Sequence, residues 1–551
     1  EIMMEHIIDC LLDKLKLTRA NVIYAGGGHC YLILPNTEWI KQETKAFEDE
    51  TKKWLIENYN IALFVGSGAG EASANILNNI SKDETAEAPY SALFQEVSVG
   101  IEMSKIRRYT AQDIRKLNGL RHNYGDRECM VCKRVDKLLE STGDGKTKCR
   151  ICASIDGLSK GIMDKSKNYF AIVKVQDHMK NNTDLLPLPG DYYMVAGSKA
   201  DLVACADSGL KPVRLYAKNN NQDGLDIKTI VRVGNYASGN RYASDTFEDF
   251  ANATPGFKKI GVLRADVDNL GTAFSCGFTG DDNTLSRTAA LSRQLSIFFK
   301  YHLNDILEHG EANLNNRITK ASSQEEKISR KAAVVYSGGD DLFIVGNWRD
   351  VIELGIDISE KFTAFTDNQL TISAGIGVYN HGYPISRIAE EVGALEDMSK
   401  KLPGKNGITL FPDGNTREVF DEEHNVNVSV STGTFSWKKF DKDVITCLKQ
   451  LFKIFASNKT AKVDKGNTFL YKLLELMRNR DDEINIARFA YMFARLEETL
   501  DTTKINKKEK QREFREFMSQ VYTWIKEDDK VDERRAFLTA VCLYVYLNRK
   551  G

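Results

Sequence analysis

Proline is scarce in this chain, nine in 551 residues, and no tract is low in complexity. That excludes collagen, a mucin-like stalk and a long disordered tail. No apolar run approaches the roughly 18 residues that a membrane-spanning helix requires, and Glu1 to Cys10 does not read as a secretory signal. A surplus of one charge is also missing: 76 basic residues face 77 acidic ones, for a net −1. Global charge therefore gives no reason to expect a nucleic-acid partner. Ten cysteines in this length do not suggest a disulfide scaffold. Six are scattered (Cys10, Cys30, Cys205, Cys276, Cys447 and Cys542), mostly among apolar neighbours, and read as small core residues. A reducing, cytoplasmic setting is the expectation.

The length exceeds what one hydrophobic core supports, so three or four domains are expected. Residues 1–105 alternate helix and strand. Leu11–Leu17 and Ile40–Tyr59 have helical periodicity, Asn21–Ala25 and Cys30–Leu34 flank a Gly-Gly-Gly turn, and Ile61–Val65 reads as a buried strand. Residues 106–255 are polar and cysteine-bearing at first, then rich in strand and turn signals with no long helix. Residues 256–425 repeat the first pattern more fully: strand Lys259–Asp266, helix Leu285–Leu307, hairpin Ala332–Val345, helix Trp348–Thr366, strand Leu370–Val378, helix Ile385–Lys401. The hairpins around Gly26-Gly27-Gly28-His29 and Ser337-Gly338-Gly339-Asp340-Asp341 share one frame and read as divergent copies of a domain. Residues 426–551 carry five amphipathic helical patterns and predict a helical bundle. Charge is uneven: Lys105 to Lys160 holds 14 Lys/Arg against 7 Asp/Glu, and Asp441 to Gly551 holds 23 against 18. Either stretch suits a phosphate backbone or a solvated helical surface.

The strongest local signal is Cys129-x2-Cys132 with Cys149-x2-Cys152, 16 residues apart. Two turns, each aiming two thiolates at one point, make a tetrahedral four-sulfur site that suits zinc. All four positions come from protein, so the metal would be structural. Lys133, Arg134, Lys146, Lys148 and Arg150 would offset part of the thiolate charge.

Next is the hairpin tip Ser337-Gly338-Gly339-Asp340-Asp341. Adjacent carboxylates at a tight tip repel unless a cation lies between them. Gly-Asp alone is a common turn. The pattern gains weight from Ala265-Asp266-Val267-Asp268-Asn269-Leu270-Gly271, where Asp266 ends a buried strand and shares a face with Asp268. Together they predict a carboxylate cluster for two Mg2+ or Mn2+ ions that activates a hydroxyl and stabilises leaving pyrophosphate. The reading requires Asp266 to lie beside the Gly-Gly tip on the same face of the sheet. Lys401 and Lys405, in Lys400-Lys401-Leu402-Pro403-Gly404-Lys405-Asn406, close the third helix. Lysines there also suit the helix dipole, but in this context they reach the β and γ phosphates of a nucleotide. Gly26–His29 lacks carboxylates and cannot hold metal. Gly66-Ser67-Gly68-Ala69-Gly70 lacks a following Lys and is a turn rather than a phosphate loop.

These residues resemble the palm domain shared by GGDEF-type nucleotide cyclases and polymerases. The order of a degenerate palm, a four-cysteine module, a palm with Gly-Gly-Asp-Asp and a helical end is similar to the large signature subunit of type III CRISPR effector complexes, subtype III-A above all. The resemblance implies a multi-domain α/β fold with two ferredoxin-like palm domains, a zinc-binding linker and a helical bundle. It implies synthesis of cyclic oligoadenylates from ATP when the complex binds target RNA. Partners would be the other subunits, the guide RNA and the target RNA, with no membrane. Carried over, Asp266, the carbonyl of Val267, Asp340 and Asp341 hold metal. Ser337, Gly338 and Gly339 border the adenine or ribose, Lys401 and Lys405 take the phosphates, and Asp268 and Asn269 lie near the site. The family begins with an HD nuclease domain; none of the eight histidines here is followed by Asp and the chain opens mid-helix, so no DNase activity is expected of this segment. The competing expectations are a scaffold subunit with a vestigial palm, a diguanylate-type cyclase, and a template polymerase, for which the palm segment lacks a basic channel.

Overall fold

A computed structural model describes the chain except residues 1, 27, 81–88, 120–127, 140–146, 165, 181, 203–209, 218–228, 231–244, 254–255, 279–281, 313, 315–327, 413, 423, 456–463, 479–482, 500–506, 528 and 550–551. It divides into two compact units. One comprises Glu1–Arg241, Asn269–His302 and Ser337–Asp340; the other comprises Tyr242–Asp268, Leu303–Tyr336 and Asp341–Gly551.

In the first unit, α1 (Ile2–Lys14) and α2 (Glu38–Tyr59) accompany the antiparallel hairpin β1 (Val22–Gly26) and β2 (His29–Leu32). Thr37 starts α2 by accepting the Ile40 N–H on its hydroxyl, 3.3 Å, which satisfies one orphan donor of the first turn. The expected strand Ile61–Val65 does not form. Residues 61–72 have no regular structure, and Ile61 and Leu63 are 68% and 42% exposed. The glycines that follow explain this. A Cβ on Gly68 would stand 2.2 Å from the Val97 carbonyl of α3 (Pro89–Ile106), so here the backbone lies on a helix instead of pairing with a strand. Helix α4 (Ala111–Gly119) follows, and α5 (Arg150–Met163) begins within the second Cys-x2-Cys.

A five-stranded sheet of order β4-β5-β3-β6-β7 comes next: β3 Tyr169–Lys174, β4 Leu186–Leu188, β5 Tyr192–Gly197, β6 Lys211–Ala217 and β7 Thr229–Ile230. Phe170, Ile172, Leu188 and Tyr216 form its core with Ile2. Helix α6 (Leu285–Ile297) also belongs to this unit; the Tyr90 hydroxyl donates to Thr288 Oγ1, 2.9 Å, and Asn283 Nδ2 donates to Ser91 Oγ, 3.2 Å. Among the described residues the first copy of the repeat shows only the two strands β1 and β2, a smaller sheet than its sequence pattern suggests.

The second unit is built on a six-stranded sheet of order β15-β12-β11-β8-β10-β9. Its strands are β8 Ile260–Val267, β9 Ala332–Ser337, β10 Asp341–Asn347, β11 Ile372–Tyr379, β12 Gly407–Leu410 and β15 Thr434–Ser436. Central β8 pairs antiparallel with both β10 and β11. Helices α7 (Trp348–Phe365) and α8 (Ile385–Lys400) connect β10 to β11 and β11 to β12. Leu263, Ala265 and Val267 are buried, while Arg264 and Asp266 alternate with them, the period of two that splits a strand between core and site. Fully buried Arg330 pairs with Glu353 and, at 2.7 Å, with Asp357 of α7. A separate hairpin, β13 (Thr416–Asp421) with β14 (Val426–Ser431), lies where no strand is expected.

The five expected C-terminal helices are present as α9 Ile445–Phe455, α10 Asp464–Arg478, α11 Glu483–Thr499, α12 Lys507–Lys526 and α13 Val531–Asn548. Aromatic contacts such as Phe469–Phe493 between α10 and α11 and Phe517–Phe537 between α12 and α13 join them. Arg535 anchors α13 to the sheet by donating to the Thr432 carbonyl, 2.7 Å, and lying over the Phe435 ring. No described helix is long and apolar enough to cross a membrane.

Candidate functional site

Two sites take shape, one in each unit. In the first, Cys129, Cys132, Cys149 and Cys152 converge, with their sulfurs within 4.8 Å of one another. The first pair sits in a tight knuckle, Lys133 N–H bonding the Cys129 carbonyl at 2.9 Å and Cys129 N–H the Arg134 carbonyl at 2.8 Å. The second pair is different from the expected turn: Cys149 caps α5 and Cys152 lies in its first turn, its N–H donating to Cys149 Sγ at 3.5 Å. Burial alone would raise the Cys129 thiol. Backbone N–H groups of Cys132, Cys149 and Val131 outweigh it and bring that thiol down to about 6, so one sulfur is prepared to ionise. Burial raises Cys149 and Cys152.

Four clustered thiols, one beside N–H donors, fit zinc better than any harder cation. Of the basic residues expected around them, Lys133 pairs with Glu128, Lys148 with Asp156, and Arg134 with Asp136; Lys146 lies outside the described residues. Arg134 also donates to the Asn58 carbonyl at the end of α2, 2.6 Å, which ties the cysteine module to that helix.

In the second unit the register of β8 and β10 decides the geometry. Asp341 stands directly opposite Asp266, and Ser373 of β11 flanks Asp266 on the other side. Directly opposed residues of an antiparallel pair share a face, with Cα atoms about 5 Å apart. Asp341 opens β10, one residue after Asp340, so the strand register brings one of the two expected hairpin carboxylates opposite Asp266. Asp268 is 4% exposed. Its Oδ2 accepts from Thr371 Oγ1 at 2.7 Å and from Asn406 N–H at 3.0 Å, while its buried Oδ1 has no hydrogen-bond partner. An orphaned buried carboxylate oxygen is the kind of hard donor that suits a divalent cation. Among the described residues, however, the cysteines are the only group of three or more ligand-type side chains gathered within 4.8 Å; the palm carboxylates do not reach that closeness as a set of three.

A further lysine stands at the carboxylates: Lys400 donates to Asp266 Oδ2, and it also bridges Glu396 at 2.6 Å. Burial opposes the Lys400 ammonium, but hydrogen bonds and charge from Asp266 and Glu396 outweigh it and raise its pKa. Lys401 is exposed and Lys405 is half-buried with a left-handed backbone. Asn269 is exposed and left-handed, and Ser337 is fully buried with its hydroxyl donating to the Phe299 carbonyl, 3.0 Å. Asn269, Ser337, Gly338, Gly339 and Asp340 group with the first unit. Sequence reasoning missed Lys400, Glu396 and Thr371. The spacing of Glu396 and Lys400, four apart on α8, was the available signal.

Three family models match: the second palm domain of Cas10/Cmr2 over residues 259–409, domain B of the Csm1 subunit over 1–120, and the second helical domain of the Cmr2 subunit of the CRISPR RNA silencing complex over 449–550. A CRISPR system single-strand-specific deoxyribonuclease Cas10/Csm1 (subtype III-A) from Mycobacterium tuberculosis is 37% identical over all of this chain and 63% of its own length. The protein of the same name from Streptococcus thermophilus is 32% identical over all of this chain and 64% of its own length. The chain thus spans about three fifths of the curated relatives it matches.

Among solved structures, a Csm1–Csm4 cassette in complex with pppApA aligns with a TM-score of 0.64 at 21% identity, covering 98% of this chain and 65% of that one. A Csm1–Csm4 cassette in complex with cA4 aligns with a TM-score of 0.62 at 20% identity, covering 99% and 65%. At such identities these structures speak to the fold. Taken with the matched palm, domain B and helical segments, the full-length identity to the curated relatives establishes that the chain belongs to the Cas10/Csm1 family of type III-A CRISPR large subunits.

Proposed function

We propose that this chain carries the nucleotidyl-transfer centre of a type III-A complex and joins ATP into cyclic oligoadenylates when target RNA is bound. The observation that carries the reading is the pairing of Asp341 with Asp266 across β10 and β8. The connection order β8-helix-β9-β10-α7-β11, with β8 between β10 and β11, supports a ferredoxin-like palm. Asp266, Asp340, Asp341 and the Val267 carbonyl are the groups to hold Mg2+ or Mn2+. Such ions, when bound, activate the attacking 3′-hydroxyl of one ATP and neutralise the pyrophosphate leaving the α-phosphate of another. The protein's own task is placement. Gly338 and Gly339 keep the tip thin enough for a nucleotide to approach, Lys401 and Lys405 orient phosphates, and Asp268 fixes the Thr371 and Asn406 segments beside the carboxylates.

Zinc in the four-cysteine module is assigned a structural role. The relatives' names mention deoxyribonuclease; we assign residues 1–551 the transfer reaction instead. Csm4, named with the solved relatives, is the partner subunit we expect, together with guide and target RNA through the complex, in the cytoplasm.

The second reading, a scaffold with a vestigial palm, has one observation in its favour: three palm carboxylates do not converge among the described residues. Supplying each labelled nucleoside triphosphate in turn to the RNA-activated complex separates these readings. ATP alone should yield cyclic product; a scaffold consumes none, and a diguanylate-type enzyme consumes GTP.

A further inference from the structure

The charge chain on the α8 side of the sheet contains a cation where the metal reading needs a bare carboxylate. Asp266 Oδ2 is met by the Lys400 ammonium. The same ammonium is 2.6 Å from Glu396 Oε1, and Glu396 Oε2 is 2.8 Å from Arg264 Nε. Asp266 and Glu396 carry two negative charges, Lys400 and Arg264 two positive ones. The group is therefore neutral without any ion.

It is also built rather than incidental. Glu396 is 4% exposed at its side chain, whereas Lys400 and Asp266 are 29% and 23% exposed. Helix α8 reaches the sheet closely enough only because β11 has glycine at the crossing: a Cβ on Gly375 would stand 2.4 Å from the Glu396 nitrogen. Gly393 leaves room in the same way for Arg264, whose Nη1 would be 2.9 Å from a Cβ there. Lys400 ends α8, where the helix dipole favours a cation. Its long stem allows the ammonium to leave Asp266 while staying on Glu396.

We propose that Lys400 is the resident counter-ion of Asp266 and a gate on divalent-metal entry, with Glu396, held by Arg264, as the seat that keeps the ammonium when a metal takes the carboxylate. Lys400 is thus a positioning residue. It keeps Asp266 neutralised while no metal nucleotide is present, and it sets a threshold that metal alone does not easily cross. This rests on the reading of Asp266 as a metal ligand.

The test is Mn2+ binding to the full 551-residue chain without nucleotide, followed by the electron-spin-resonance signal of free Mn2+. Lys400→Met should bind Mn2+ about tenfold more tightly than the parent chain, since one adjacent positive charge is gone. Lys400→Arg should stay near the parent. Asp266→Asn added to Lys400→Met should abolish the gain. Lys400→Gln, of closer shape, serves if the Met variant melts early. Unchanged or weaker binding in both neutral variants, with measurable binding in the parent, overturns the gate. Absence of Mn2+ binding in every variant, with or without ATP, overturns the metal reading beneath it.

Discussion

Asp341 and Asp266 face each other across neighbouring antiparallel strands, one opening β10 and the other lying one residue from the end of the central strand of the sheet. Two carboxylates on one face repel in a half-buried setting, and the structure answers with a lysine on Asp266. Lys400 therefore supplies the positive charge beside this carboxylate pair.

The cysteine module predicts a metal content. The purified chain should hold one zinc per molecule by elemental analysis, and Cys149→Ser should lose it. Since structural zinc contributes folding energy directly, the variant should melt lower by about 10 °C or more. Zinc-free protein with unchanged melting would contradict the assignment.

Arg330 is fully buried between Glu353 and Asp357. Arg330→Met leaves buried Asp357 without its cation and Glu353 with only Arg349, and should cost about 3–5 kcal/mol, measured by urea unfolding. A loss below about 1 kcal/mol would mean that the carboxylates find other partners.

His6 predicts acid sensitivity. It is buried in α1 with Nε2 against the Pro189 carbonyl at 3.0 Å, and Arg214, Asp9, Asp13 and Cys10 face it. Burial is the main cause that lowers its pKa to about 4, against a raising effect of the Pro189 bond and of Asp9 and Asp13; Arg214 lowers it further. A lowered histidine pKa means that the unfolded chain takes up the proton first. Its contribution is complete above pH 6.5 or so and is lost as pH falls toward 4, by roughly 3 kcal/mol in all. His6→Gln should flatten the stability profile in that window; an unchanged profile would contradict the assignment.

Gly375 predicts a packing effect with a functional reading. Gly375→Ala forces a Cβ against the α8 backbone at Glu396 and should destabilise by about 2–3 kcal/mol. The same shift moves Lys400 relative to Asp266. An Ala variant as stable as the parent would show that α8 is free to withdraw.

Much of the second unit was legible because its central strands are buried apolar runs and its helices are long and amphipathic. The expected strand Lys259–Asp266 and helix Ile385–Lys401 each lie within one residue of β8 and α8. Ile61–Val65 was not legible, since a short apolar run reads alike whether it pairs in a sheet or lies along a helix. The cysteine spacing named all four ligands, but a local pattern does not say that the second pair opens a helix. The Lys400 contact was not read because it is decided by helical phase, which places Lys400 and Glu396 together toward the sheet. The β13–β14 hairpin was hidden because its strands are largely exposed and polar.

The most direct test of the central claim is ATP turnover by the RNA-activated complex carrying Asp266→Asn, compared with Asp340→Ala/Asp341→Ala and the parent, in Mg2+. Cyclic oligoadenylate should form from ATP in the parent and fall by more than about 100-fold in both variants, with melting temperatures within a few degrees of the parent. Undiminished product in either variant, or a parent that leaves ATP untouched, would contradict the account.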